Sequence, residues 1–417
     1  QVTARTSSFQ FKGRNEDLRD VGAMLNVANI LEGSVRRSGN RARITAQLIR
    51  TQDGYHLWSQ NYDRTLEDTF EVQTDIAESV ARAMDVVLDE DQRQRMRDSG
   101  IRNVDAFVDF QKGRQSFYEA HEGGIDLELM KESADLFTAA VDKEPGLSDA
   151  YHLRSDYYMH AIMETADDAD DLRREYGAAY ERDLELAGRY AETPHQQALI
   201  EVDATLWSRD WRLLGTQFER ALESTGCAEG VWFEVVQTFG DRQEALRYYR
   251  DAVACDPLNW LVYQSAAMAA MWAGKPGAAL EIITDGRRVL QDAGLAQDAS
   301  SLDMPESFAL MALGRYEDAW HVAEESTVDL RDTIFSFVAA AQGRLDDARA
   351  YREKQMASGS SAMNAYNEVA LHAIVGDREL ANAAAARLDS FDTGTTLLAT
   401  TVHFCHCGAP FDLEATP

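Results

Sequence analysis

"TFGDRQEALRYYRDAVACDP", residues 238–257, is the stretch whose reading decides the fold. It sets Gly240, Ala245, Tyr249, Ala252 and Pro257 at steps of 5, 4, 3 and 5 residues. On an α-helix, residues three and four apart share a face, so Ala245, Tyr249 and Ala252 form one stripe. Small residues in the stripe let paired helices approach closely. The aromatic ring fills the gap to the next pair, and proline ends the second helix. The segment reads as half of a helical hairpin built to stack on copies of itself.

Weaker copies flank it. "DLFTAAVDKEP" puts Ser133, Phe137, Ala140 and Pro145 in the same register, with Gly113 of "QKGRQSF" opening its first helix across an insertion. "SRDWRLLGTQFERAL" offers Trp211, Leu214, Phe218 and Ala221. Turn glycines recur at Gly274, Gly314, Gly343 and Gly376, and from Gly240 the steps are 34, 40, 29 and 33. A period near 34 residues is the tetratricopeptide spacing. The expected fold is mostly α: a tetratricopeptide-like α-solenoid of six to seven helical hairpins over residues 91–417.

The chain has 417 residues, enough for two or three domains, and 45% hydrophobic residues, enough for packed cores. Its formal charge of −30 repels a phosphate backbone and excludes general nucleic-acid binding. That charge is uneven: residues 1–64 carry +4, leaving −34 for residues 65–417. The break marks a domain boundary. Four cysteines, with Cys227 and Cys255 isolated, make no disulfide framework and assign no compartment. No apolar run reaches membrane-spanning length, and no signal peptide opens the chain. It begins at Gln1 inside a strand-like "QVTARTSSF" and reads as a fragment or processed product.

Residues 1–90 carry a different period. "EDLRDVGAMLNV" reads as an amphipathic helix through Leu18, Val21 and Leu25, with Asn15 as its N-cap. Alternation by two follows: Ile30 and Val35, then Ala42, Ile44, Ala46 and Leu48 against Arg43, Thr45, Gln47 and Ile49. Ser38-Gly39-Asn40 is a tight turn between these strands. Gln52-Asp53-Gly54 leads to a third strand, "YHLWSQNYDR", and a helix over about 66–88 closes the β-meander through Phe70, Ile76, Val80, Ala83 and Val87.

"TARTSSFQFKG", "ILEGSVRRSGNRARITAQLI" and "GYHLWSQNYDR" together resemble the TolB amino-terminal-like domain. That domain is found upstream of tetratricopeptide repeats in bacterial class III adenylyl cyclases and CadC-like transcription regulators. The resemblance implies that earlier strands and a helix are missing, so this small α/β domain is incomplete. It also implies an upstream output domain, cyclase or DNA-binding, lying outside this chain. A membrane helix between the two, as in some family members, would place this region in the periplasm; without one it would be cytoplasmic.

Candidate sites follow from these elements. Arg36, Arg37, Arg41 and Arg43 gather at the first turn, as an anion site or as a solvated hairpin tip that blunts a sheet edge. His56, Trp58, Gln60 and Tyr62 alternate on one strand face, as a stacking platform or as packing toward the helix. Arg36, Arg43, His56 and Trp58 are therefore the candidate small-ligand residues. In the solenoid, Tyr151, Arg154, Tyr158, Tyr263, Gln264, Phe335, Tyr366 and Asn367 are candidates for a groove holding a partner protein or peptide, with packing between hairpins as the competing role. The acidic charge suits a basic partner.

"HFCHC", with His403, Cys405, His406 and Cys407, has metal-ligating side chains but no second cluster, so it reads as a last helix stopped by Pro410. "DDADD" at 167–171 lacks the glycine and closing glutamate of a calcium loop. His195, after Pro194, reads as structural. No nucleophile elbow, triad or cyclase-type metal aspartate motif is found. The expectation is a non-enzymatic interaction and regulatory module, without cofactor or metal.

Overall fold

The computed structural model describes residues 3–14, 16–65, 69–84, 101, 103–121, 126–164, 170–208, 211–224, 242–326, 331–357, 372–373 and 376–390. A small antiparallel sheet near the amino end precedes a long succession of helices, consistent with a helical solenoid after a small α/β domain. Among the described residues no helix is long and apolar enough to cross a membrane.

Two short helices open the chain: α1, Arg5–Phe9, and α2, Leu18–Met24. The strand-like reading of "TARTSSF" is therefore corrected to a helical turn. Ser7 sets it: fully buried, its hydroxyl donates to Asp256 Oδ1 at 2.5 Å and accepts the Leu258 N–H at 2.8 Å. The N-cap of α2 is Asp17 rather than Asn15, because the Asp17 carboxylate accepts the Arg19 N–H at 2.9 Å.

The expected meander is present as β1, Asn29–Ser38, β2, Arg41–Arg50, and β3, His56–Thr65, in the order β1-β2-β3. Gly39 and Gly54 adopt φ of 59° and 70° in the two turns, where a Cβ would be strained. β2 is the central strand. Ala42, Ile44, Ala46 and Leu48 are buried, whereas Arg41, Arg43, Thr45 and Gln47 face outward. Helix α3, Thr69–Ala83, covers β2 and β3 and buries Val72 against Ala42, Ile44 and Tyr62. β1 is an edge strand, and its Leu31 and Val35 stay exposed.

The helical region comprises α4, Val104–Ala120; α5, Leu127–Lys143; α6, Ser148–Glu164; α7, Asp170–Tyr190; α8, Pro194–Ser208; and α9, Leu214–Ser224. It continues with α10, Arg242–Cys255; α11, Trp260–Trp272; α12, Pro276–Asp292; α13, Ala296–Ser300; α14, Asp303–Ala312; and α15, Tyr316–Glu325. Last come α16, Arg331–Ala341; α17, Leu345–Ala357; and α18, Arg378–Ser390. Asn103, Asp126 and Asn259 cap α4, α5 and α11 by accepting N–H groups of the first turn.

Four glycines anticipated as turns terminate helices in one repeated way. Gly274, Gly314, Gly343 and Gly376 have φ between 72° and 78°. In each, the glycine N–H bonds three residues back, and the next N–H bonds five back, as in Lys275 to Ala270 at 2.8 Å and Arg315 to Leu310 at 2.9 Å. This is the Schellman closure, which satisfies carbonyls that a helix end would otherwise leave unpaired. Each following helix starts two residues after its glycine. Gly294, not anticipated, closes α12 the same way.

Small residues set helix separation. Gly113 lies inside α4 rather than at its start, and a Cβ there would stand 2.9 Å from the Phe137 ring of α5. Ser133 donates to the Gly113 carbonyl at 2.9 Å, and Phe137 and Ala140 are fully buried. Tyr249 and Ala252 of α10 are buried as the opening motif requires. Gly240 lies outside the described residues. Helix α11 is buried from Val262 to Ala270 and joins α10, α12 and α14 in one apolar cluster. A second cluster unites Phe308, Phe337, Ile334 and Val338. Cys255 is disulfide-bonded, which corrects its reading as isolated.

By contacts the chain divides into two compact units, one of Ser8–Tyr157 and Glu185–Thr193, the other of Gln1–Ser7, Tyr158–Leu184 and Pro194–Pro417. Helices α6 and α7 each run unbroken through a division.

Candidate functional site

The arginines at the first hairpin turn are largely engaged. On the outer face Arg41 reaches Asp63 at 2.7 Å and Arg43 reaches it at 2.8 Å. Those hydrogen bonds, Arg43 first and Arg41 second, hold the Asp63 carboxyl below its ordinary pKa. Arg37 donates to the Gly39 carbonyl at 3.2 Å. Arg36 is exposed, directly across the ladder from Arg43.

The aromatic strand divides differently from its alternation. Trp58 pairs with Leu48, Gln60 with Ala46 and Tyr62 with Ile44, so these three share the inner face. Trp58 packs on the cluster of Ala42, Ile44, Tyr62 and Val72. A register shift between Leu48 and Ile49 then sets His56 opposite Ile49, on the outer side and exposed. Uninterrupted alternation would have kept His56 beside Trp58, and the shift separates them. Arg43 and Ile49 lie six residues apart along β2, about 20 Å of extended strand. Arg36, Arg43, His56 and Trp58 are thus not brought together.

The expected groove residues are mostly inside. Tyr151 is buried and stacks on Tyr190, with centroids 6.0 Å apart, while Arg154 lies over its ring and donates to Thr138 at 2.9 Å. Tyr263 is buried against Gly286, its hydroxyl donating to the Pro257 carbonyl at 2.9 Å. Burial pushes its pKa up to about 12. Gln264 is buried beside it. Phe335 packs between Trp320 and Tyr351. Tyr158 is half-buried against Tyr176. Tyr366, Asn367 and the His403–Cys407 segment lie outside the described residues.

One constellation was not singled out from the sequence. His121 caps the carboxy end of α4, and its Nε2 stands 3.2 Å from Oδ2 of Asp156 on α6. His121 Nδ1 lies 2.6 Å from the Phe117 carbonyl, and the two rings pack at 4.5 Å. Burial lowers the His121 pKa, but the Asp156 hydrogen bond and charge and the Phe117 carbonyl outweigh it, and the net shift is upward. His160 lies one helical turn beyond Asp156 on the same helix. The four-residue step of Asp156 and His160 was legible in "DYYMH"; the partnership with His121, 35 residues upstream, was not.

The described residues thus form a mostly helical chain with a small three-stranded antiparallel sheet near its amino end. No family model matches it. Over 118 residues it is 41% identical to a protein of Rhizobium meliloti (strain 1021) named "Putative adenylate cyclase 3". That match covers 28% of this chain and 20% of the relative, so the chain spans about a fifth of the relative's length.

Proposed function

We propose that this chain is a non-enzymatic protein-interaction and regulatory module of a bacterial signalling protein, its repeated helical hairpins holding a partner polypeptide. The domains would be a partial TolB-like domain over 1–90 and a tetratricopeptide-like solenoid over 91–417. The observation that carries the reading is the repeated Schellman turn at Gly274, Gly314, Gly343 and Gly376, each followed at once by a new helix. Stacked hairpins of this kind create extended surfaces suited to polypeptides. The partial similarity to a protein named as an adenylate cyclase supports a signalling context. The charge of −34 over residues 65–417 favours a basic partner. The disulfide at Cys255 fits an oxidising, periplasmic setting reached through an upstream membrane segment.

The test is direct binding of the purified chain to an array of basic and acidic peptides. Selective capture of basic segments, weakening as salt rises, is expected; equal capture of all peptides, or of none, overturns the reading. Incubation with ATP and a divalent metal should yield no cyclic nucleotide above a blank. A second reading, small-anion binding on the sheet, has in its favour the exposed Arg36 opposite Arg43. It predicts thermal stabilisation by an anionic ligand that is lost in Arg36→Ala.

A further inference from the structure

The free edge of β1 is an uncovered part of the sheet, and the reading above makes no use of it. Among the described residues no strand pairs with that edge, since the order is β1-β2-β3. Every residue of β1 from Leu31 to Ser38 is exposed. Leu31, Gly33, Val35 and Arg37 lie opposite Leu48, Ala46, Ile44 and Ala42, so they belong to the inner, apolar face. Helix α3 covers that face over β2 and β3, yet Leu31 and Val35 remain 52% and 68% exposed. An open edge with apolar side chains beside it is a template for a further strand.

We propose that this edge pairs antiparallel with the same edge of a second copy of the chain, joining two three-stranded sheets across a two-fold axis. The backbone is set for it. The two-residue turn Gly39-Asn40, with Gly39 at φ 59°, closes on the hydrogen-bonded pair Ser38 and Arg41. Alternation from that pair turns the N–H and C=O groups of Leu31, Gly33, Val35 and Arg37 away from β2, toward the open edge. Pairing two copies about Ser34 joins Leu31 to the second copy's Arg37 and Gly33 to its Val35. Charge selects this register. It sets Glu32 directly opposite the second copy's Arg36 on the outer face, and the symmetry does so twice. The two Arg36 side chains are then four residues apart, about 14 Å along the strand and beyond a screening length of about 8 Å. A parallel, in-register pairing would instead set Arg36 against Arg36 and Glu32 against Glu32. On the inner face, Leu31 and Val35 of both copies fall into one diagonal strip and leave water together. A two-fold pairing consumes both β1 edges, so this contact closes at the dimer.

The test follows the full chain by sedimentation equilibrium over a range of concentrations, where a monomer–dimer equilibrium is expected. Glu32→Arg and Arg36→Glu change exposed positions and should each weaken the dimer about tenfold. The double exchange should restore it, because the opposite pairs re-form with their signs swapped. Ser34→Cys places a thiol on the two-fold axis and should give a covalent dimer under mild oxidation. Ser38→Cys, about 27 Å from its counterpart in this register, should not. The proposal is overturned if the chain stays monomeric throughout, as it would were the edge to take a foreign peptide instead. It is equally overturned if the double exchange fails to recover the dimer, or if Ser34→Cys gives no more covalent dimer than Ser38→Cys.

Discussion

The sheet and the helical region solve the same problem with different means. In the sheet, order is set by an outer layer of polar cross-strand pairs, Arg43 with Asp63 and Thr45 with Asn61 at 2.7 Å, over a thin apolar layer of Ala42, Ile44, Tyr62 and Val72. In the helices, order is set by shape. Phe137 seats on Gly113 and Tyr263 on Gly286, and alanines of α11 fill the space between. Exposed ion pairs contribute little because water solvates the separated charges nearly as well, whereas a misfit in a close-packed interior is felt directly. The helical region should therefore be sensitive to single atoms, and the sheet tolerant on its outer face.

The largest break in that contrast comes from the helices. Phe137→Ala empties a fully buried ring position and should lower stability by about 3–5 kcal/mol, read as a reduced urea midpoint. A loss below that of an exposed substitution would mean that α4 and α5 are not close-packed. Next in size, Gly314→Ala places a Cβ at φ 72° and should cost about 1–2 kcal/mol, with faster amide exchange confined to α14 and α15. An unchanged midpoint would remove the turn from the account of the repeat.

A third effect depends on pH. Burial and the adjacent Arg352 hold the His372 pKa below its ordinary value, and the Arg352 hydrogen bond, at 2.6 Å, holds Asp377 low as well, with Arg349 assisting. Both folded pKa values are depressed, so the stability they contribute is present above the unfolded pKa values. It is lost as pH falls, first through the ordinary histidine range and then through the carboxylate range. Unfolding followed by fluorescence between pH 7 and 4 should show that loss, and Arg352→Met should flatten the slope. The smallest effect belongs to the sheet: Asp63→Asn frees Arg41 and Arg43 but should leave the melting temperature nearly unchanged. A large drop there would erase the distinction between the two regions.

Several of these features were legible in advance for a simple reason. Gly39, Gly274, Gly314, Gly343 and Gly376 announce themselves because left-handed backbone is cheap only without a Cβ, and flanking periods of two or near four say which element they end. Gly113 was recognised, yet its place inside α4 was misread, since a glycine used for close approach looks the same in sequence as one used for a turn. His56 was assigned to the face of Trp58 because alternation carries no mark of a register shift. Tyr263 and Phe335 were candidates for a groove because an amphipathic aromatic fits either a surface or an interior, and only the neighbours Gly286 and Trp320 show which.

The sequence by itself determined the kind of most elements: three alternating strands with their turns, then a succession of helices, several of them closed by glycine. Those are local properties, fixed by backbone sterics and the period of apolar residues. Tertiary structure alone decided which polar side chains meet. Asp63 collecting two arginines, Ser7 under Asp256, and His121 beside Asp156 all join residues distant along the chain. Such meetings depend on how rigid elements pack, and no local pattern encodes that distance.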